Sequence, residues 1–167
     1  INLAQASISV AHGHYEERME VSGEDEVAVL AQNFNTMTDA VKSRIADLSH
    51  QASHDSLTGL YNRRAFEAHL EAVLAEPDIQ DNPVTLLYLD LDQFKVVNDT
   101  CGHAAGDNLL IRLTRMIEVR FPYGFLARLG GDEFGIVMRD CDLADGQRRA
   151  AQLIEEICAF PFSWDDR

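Results

Sequence analysis

The run Phe125-Leu126-Ala127-Arg128-Leu129-Gly130-Gly131-Asp132-Glu133-Phe134-Gly135-Ile136-Val137-Met138 sets two strand-like segments around a glycine-led, acidic turn. Apolar runs joined this way read as a β-hairpin. Upstream, residues 84–91 form a short, continuously apolar run that ends in acids, Leu89-Asp90-Leu91-Asp92, and reads as a buried central strand. Between these segments the period becomes helical. Residues 63–75 put Phe66, Leu70, Val73 and Leu74 on one side, and residues 108–121 do the same with Leu109, Leu110, Leu113, Met116 and Ile117. Residues 144–160 form another helix, and residues 162–164 begin a strand. The pattern predicts an α/β (α+β) domain with a central, mostly antiparallel sheet flanked by helices on both faces.

The first fifty residues follow a different rule. Val27, Leu30, Phe34, Met37, Val41, Ile45 and Leu48 recur in steps of 3, 4, 3, 4, 4 and 3, with no proline or glycine between them. That is a coiled-coil-like seam with one extra helical step between Val41 and Ile45. The helix packs either on its own domain or, as its narrow seam and polar flanks suggest, on its copy in a second subunit. Leu3, Ala6, Ile8 and Val10 predict a shorter helix ending near Gly13. A connector with Tyr15, Met19 and Val21 leads to Ser22-Gly23-Glu24-Asp25-Glu26, whose acids favour a helix start.

Composition limits the functional classes. Among 167 residues, 28 acids against 14 bases leave a net charge of −14, which argues against a protein that coats nucleic acid. A hydrophobic share of 46% excludes wholesale disorder. No apolar run approaches the ~18 residues of a membrane span, and the start carries no signal-peptide pattern. Cys101, Cys141 and Cys158 lack metal-ligand spacing and read as reduced thiols.

The chemistry concentrates in two places. Asp90 ends a strand and Asp132-Glu133 lie in the hairpin turn, so adjacent strands would bring Asp90 and Asp132 together. Close carboxylates repel unless a cation lies between them. A hard divalent ion, Mg²⁺ or Mn²⁺, meets that need and usually brings phosphate with it. The second place is the polar, glycine-bearing segment from Phe94 to Asp107. Lys95, one of only two lysines, could meet a phosphate. Asn98 and Asp107 together could read the donors and acceptor of a guanine edge, although Asp107 could equally cap its helix. His103 has no partner at metal-ligand spacing and reads as structural.

Four motifs in order and spacing resemble those of the GGDEF family of diguanylate cyclases. They are Asp55-Ser56-Leu57-Thr58-Gly59-Leu60-Tyr61-Asn62-Arg63-Arg64, Asp90-Leu91-Asp92-Gln93-Phe94-Lys95, Asn98-Asp99 through Gly102-His103 to Gly106-Asp107, and Arg128-Leu129-Gly130-Gly131-Asp132-Glu133-Phe134. The resemblance implies a nucleotidyl-cyclase, palm-like fold that condenses two GTP into cyclic di-GMP and releases pyrophosphate. It implies two Mg²⁺ or Mn²⁺ ions per active site, held by Asp90, Asp132 and the Leu91 carbonyl. Asn98 and Asp107 would bind guanine, Phe94 and Lys95 would border the triphosphate, and Gly130 and Gly131 would let backbone approach phosphate. Glu133 would stand nearest the reacting 3′-hydroxyl, making Asp90, Asp132 and Glu133 the catalytic acids.

Residues 1–48 resemble a HAMP signal-relay module with its first helix slightly shortened, residues 49–55 read as a linker, and residues 56–167 as a GGDEF domain incomplete at its C-terminus. The resemblance implies a homodimer through the N-terminal helices, whose stalk controls the cyclase. It also implies the cytoplasmic portion of a bacterial inner-membrane protein, with membrane contact only through segments outside this chain. A chain cut short in this way would lack residues needed for full activity. Two further expectations follow from the resemblance. Wording around Asp92-Gln93-Phe94-Lys95 is similar to that of composite members carrying an EAL phosphodiesterase domain, in which the GGDEF unit can bind GTP without turnover and regulate its neighbour. Phe121-Pro122-Tyr123-Gly124 stands where many cyclases carry Arg-x-x-Asp, so no product-inhibition site is expected there.

Overall fold

The computed structural model describes residues 3–21, 23, 26–77 and 82–161. The connector residues Ser22, Glu24 and Asp25 and the strand expected at 162–164 lie outside the described residues. The chain divides into two compact units, Ile1–Ala52 and Ser53–Arg167.

In the first unit, α1 (Leu3–Ala11) and the long α2 (Glu26–Ser53) are joined by a connector. Ala6, Met19, Ala31 and Phe34 form its small core. Asn35 pins the connector from both sides, accepting from the Met19 amide and donating to the Met19 carbonyl, each at 2.9 Å. Arg18 pairs with Asp39 and Lys42 with Glu16, at 2.7 and 2.8 Å. The buried stripe of α2 is therefore Ala28, Ala31, Phe34 and Thr38. Of the heptad-like seam only Phe34 joins it; Val27, Leu30, Met37, Ile45 and Leu48 are exposed. Ala31 lets Met19 of the connector pack close to α2, and of the larger seam residues only Phe34 joins the core.

The second unit holds a sheet of order β1-β3-β4-β2, formed by β1 (Tyr61–Asn62), β2 (Val84–Asp90), β3 (Phe125–Gly130) and β4 (Glu133–Arg139). β1 pairs with β3 in parallel, and both other pairings are antiparallel. Among the described residues it is accompanied by four helices: α3 (Arg63–Leu74), α4 (Phe94–Cys101), α5 (His103–Arg120) and α6 (Leu143–Cys158). On one face Phe66 and Leu70 of α3 meet Ala127, Leu129 and Val137. On the other, Leu110, Leu113 and Ile117 of α5 and Leu153 of α6 meet Leu126, Phe134, Ile136 and Met138.

This arrangement corrects two expectations. The strand buried on both faces is β4, from Phe134 to Met138. β2 is an edge strand among the described residues, with Leu86 45% and Tyr88 57% exposed. Thr85, Leu87 and Leu89 turn toward the α5 and α6 side, while on the other side Val84 packs against the α3 cluster and Leu86 and Tyr88 stay exposed. The polar segment after β2, given no element from the sequence, is helical, and the helix expected from residue 108 begins earlier. α4 begins after Gln93, which has a left-handed φ of 64°, and Gly102 (φ 84°) separates α4 from α5. α5 therefore starts five residues before the expected helix.

Gly135 explains how α3 lies so close to the sheet. A Cβ there would stand 2.6 Å from Cζ of Phe66. Gly135→Ala is expected to destabilise the protein by about 1–3 kcal/mol, because a packed aromatic ring must shift. Chemical denaturation of the wild type and variant measures the difference, and Phe66→Leu in the same background should recover part of it.

Candidate active site

The register of β2 on β4 builds the acidic centre. The two strands pair from Val84↔Arg139 through Leu89↔Phe134 to Asp90↔Glu133. The last carboxylate of one strand thus stands across from the first of the other, and side chains at such positions are within reach of each other. Asp132 precedes Glu133 in the turn. Burial, and then the charges of Asp132, Glu133 and Asp92, push the Asp90 carboxyl above the ordinary aspartate value. A set of like charges facing one another suits a cation, and oxygen donors suit a hard one. Among the described residues no group of three or more His, Cys, Asp and Glu is placed to hold a metal ion by itself. Mg²⁺ commonly uses one or two carboxylates, leaving other positions for water and phosphate.

The turn itself is braced from outside. Gly130 and Gly131 have φ values of 144° and 54°, backbone that side chains rarely tolerate. Pairing slips between Arg128 and Gly130, which bulges the hairpin. Arg128 folds over the turn and donates to the Gly131 carbonyl through Nε at 2.9 Å and Nη2 at 2.7 Å. Its Nη1 reaches Asp55 Oδ1 at 3.1 Å. Burial pushes the Asp55 carboxyl up, but hydrogen bonds from the Thr58 hydroxyl and amide and from Arg128 outweigh it and hold the group below the aspartate range. From α3, Arg63 donates to the Leu129 carbonyl and to Glu133 Oε2, both at 2.9 Å. The nearby Glu133 carboxylate pushes the Tyr88 phenol above its ordinary value. Asp55, Arg63, Tyr88 and Arg128 were not among the site residues expected from the sequence. The one local signal was Arg63-Arg64 at a helix start, where acids are preferred.

The second cluster lies where α4 crosses α5. Gly106 is buried, and a Cβ there would come within 2.0 Å of Asn98 Oδ1 and 3.1 Å of Phe94 Cζ. The bare backbone of Gly106 therefore leaves room for the Asn98 carboxamide against α5. Asp107 is exposed and is the fifth residue of α5, so it does not cap the helix. Lys95 is exposed on α4, and His103 is exposed at the beginning of α5. A largely apolar cavity of about 600 Å³ lies between β2, α5 and α6; Asp90, Leu91 and Phe94 line it, but Asn98, Asp107, Asp132 and Glu133 do not. In the 121–124 turn Phe121 is only 2% exposed and belongs to the core. Arg120 faces α6, paired with Glu156 at 3.5 Å and hydrogen-bonded to Gln152.

Comparison with known proteins gives this arrangement a family. The family described as "Diguanylate cyclase, GGDEF domain" matches residues 52–164. The chain belongs to the GGDEF family. The HAMP domain family matches residues 1–43, ahead of it. Among curated relatives, the probable diguanylate cyclase DgcE of Escherichia coli is 41% identical over 132 residues, 77% of this chain. The cyclic di-GMP phosphodiesterase PdeB of Shewanella oneidensis is 43% identical over 113 residues, 67% of this chain. The chain spans 12% of the length of each of these two proteins. Among solved structures, the coiled coil and GGDEF domain of DgcB from Caulobacter crescentus, in complex with c-di-GMP, matches with a TM-score of 0.67 and 28% identity. That match covers 80% of this chain and 68% of the other.

The raised Asp90 carboxyl gives a signed prediction. Folding disfavours its ionised form, so the penalty is present at neutral pH and fades as pH falls through the folded value. Asp90→Asn should raise the melting temperature of the metal-free protein at pH 7, and the gain should disappear below about 3.9, the unfolded value. Added magnesium should stabilise the wild type more than the variant. A melting series against pH, with and without magnesium, checks both.

Proposed function

We propose that the chain carries the metal- and GTP-binding part of a diguanylate cyclase, controlled by the helical module ahead of it. The pairing of Asp90 across from Glu133, with Asp132 in the turn between strands, is the observation that carries this reading. Asp90, Asp132 and the Leu91 carbonyl would hold two Mg²⁺ or Mn²⁺ ions. When bound, the ions would neutralise triphosphate charge and lower the pKa of the attacking 3′-hydroxyl. Glu133 stands next to this centre as the acid nearest that hydroxyl. Gly130 and Gly131 leave room for the backbone to approach phosphate, with Phe94 and Lys95 on its border. Asp107 offers acceptors to the guanine N1–H and exocyclic amine, while the Asn98 amide can donate to the guanine carbonyl.

The 3′-oxygen of one GTP attacks the α-phosphorus of another, that phosphorus loses pyrophosphate, and a second such step closes the ring. Each site holds one GTP, so two copies must face each other. The exposed seam Val27, Leu30, Met37, Ile45 and Leu48 is the face through which α2 would pair with its partner. A HAMP module ahead of the catalytic unit links the protein to membrane signalling, with this chain on the cytoplasmic side. No described helix is long and apolar enough to cross a membrane.

The similarity to PdeB, named a phosphodiesterase, supports a second reading. In it the unit binds GTP without turnover and regulates another domain, such as an EAL phosphodiesterase, of a longer protein.

Full-length protein incubated with GTP and magnesium should release cyclic di-GMP and pyrophosphate, resolved by chromatography. Asp132→Ala and Glu133→Ala should each lower turnover at least about a hundredfold. Gly106→Ala should chiefly raise KM for GTP, because the added methyl displaces Asn98. GTP binding without product would favour the regulatory reading.

Insertion of one or two residues beside Ala46 should uncouple output from the seam, changing basal turnover or abolishing the response to signal. Unaltered turnover and response in both insertion variants would remove the stalk from the account.

A further inference from the structure

Arg63 has no local explanation. It is the first residue of α3, directly after the N-cap Asn62, and that first turn contains no acid. The positive end of a helix dipole disfavours a cation there. Its side chain is 54% exposed, so core packing does not require it. Instead it spans the hairpin. Nε donates to the carbonyl of Leu129 on β3, and Nη2 donates to Glu133 on β4. Glu133 itself begins β4 directly across from Asp90 at the end of β2. Exposed ion pairs of this kind add little stability, so the consequence of the contact is placement.

We propose that Arg63 is a positioning residue for Glu133. It fixes the carboxylate, and the backbone from Leu129 to Glu133, so that the acid faces Asp90 and Asp132 before substrate arrives. The inference rests on the cyclase reading above. It also gives the segment between α2 and α3 a purpose. Asp55, two residues after the end of α2, holds Arg128 on the Gly131 carbonyl, and Arg63, at the other end of the segment, holds Leu129 and Glu133. Both ends of one short connection grip the same turn, so a displacement of that connection alters the placement of the acid.

The test uses the full-length protein with Arg63→Ala, Arg63→Lys, Glu133→Gln and the double variant Arg63→Ala/Glu133→Gln. Arg63→Ala should lower kcat roughly ten- to a hundredfold, the range for residues that orient a functional group. KM for GTP should stay within about twofold, as when an interaction specific to the transition state is lost. Arg63→Lys, able to keep one of the two contacts, should recover part of the rate. In the Glu133→Gln background, Arg63→Ala should add no further loss.

Amide hydrogen exchange over residues 129–134 supplies a readout without turnover: Arg63→Ala and Glu133→Gln should each speed it, and the double variant no more than either. Equal rate losses in both backgrounds, a rise in KM alone, or unchanged exchange in Arg63→Ala would overturn the proposal. If the wild type makes no product from GTP, the cyclase reading fails, and the exchange comparison then decides the role of Arg63.

Discussion

The antiparallel register of β2 on β4 places like charges together, and the rest of the catalytic unit is arranged around that fact. Asp90 lies opposite Glu133, with Asp132 in the turn, and the fold holds Asp90 where its ionised form is disfavoured. A one-residue slip would turn the inward side chains of β2, Thr85, Leu87 and Leu89, to the opposite face. Core packing therefore keeps the acids together even though their mutual repulsion opposes it. An unfavourable pairing retained by strong packing is the kind of strain that a bound cation relieves.

Around this centre the positive charges are placed on the turn instead of on the acids as a group. Arg128 caps the Gly131 carbonyl and is tied to Asp55; Arg63 takes Leu129 and Glu133. The two contacts differ in weight. The Arg63–Glu133 pair is exposed enough that its contribution to stability is under about 1 kcal/mol. The Arg128–Asp55 pair is only 13% and 24% exposed, and hydrogen bonds to charged groups there contribute about 1.5–3 kcal/mol before burial costs. Arg128 thus secures the turn, and Arg63 adjusts what the turn presents.

Much of this fold was legible in the sequence, for identifiable reasons. Alternation and glycines marked the 125–138 hairpin, and helical spacing marked α3, α5 and α6 to within a few residues at most ends. Position within the sheet was not legible. The apolar run of β2 reads like a central strand, yet β4 lies between β2 and β3 because the hairpin folds back onto it. Nor did polar composition reveal α4, whose start depends on a left-handed Gln93. The acids and the Asn98–Asp107 pair could be named because their chemistry is unusual for their setting. The links from Arg63 to Leu129 and Glu133 and from Arg128 to Asp55 could not, since contacts separated by tens of residues leave no local pattern. The net charge of −14 discouraged a nucleic-acid coat without excluding a nucleotide, for a bound divalent ion reverses the local sign.

The central claim is that the acids of β2 and the turn receive divalent ions together with a guanine triphosphate. A crystal structure with Mn²⁺ and a non-hydrolysable GTP analogue tests it most directly. The account predicts anomalous manganese peaks between Asp90 and Asp132, with the guanine edge against Asn98 and Asp107. Manganese away from both carboxylates, or the analogue bound in the apolar cavity beside α6 with its guanine remote from Asn98, would contradict it.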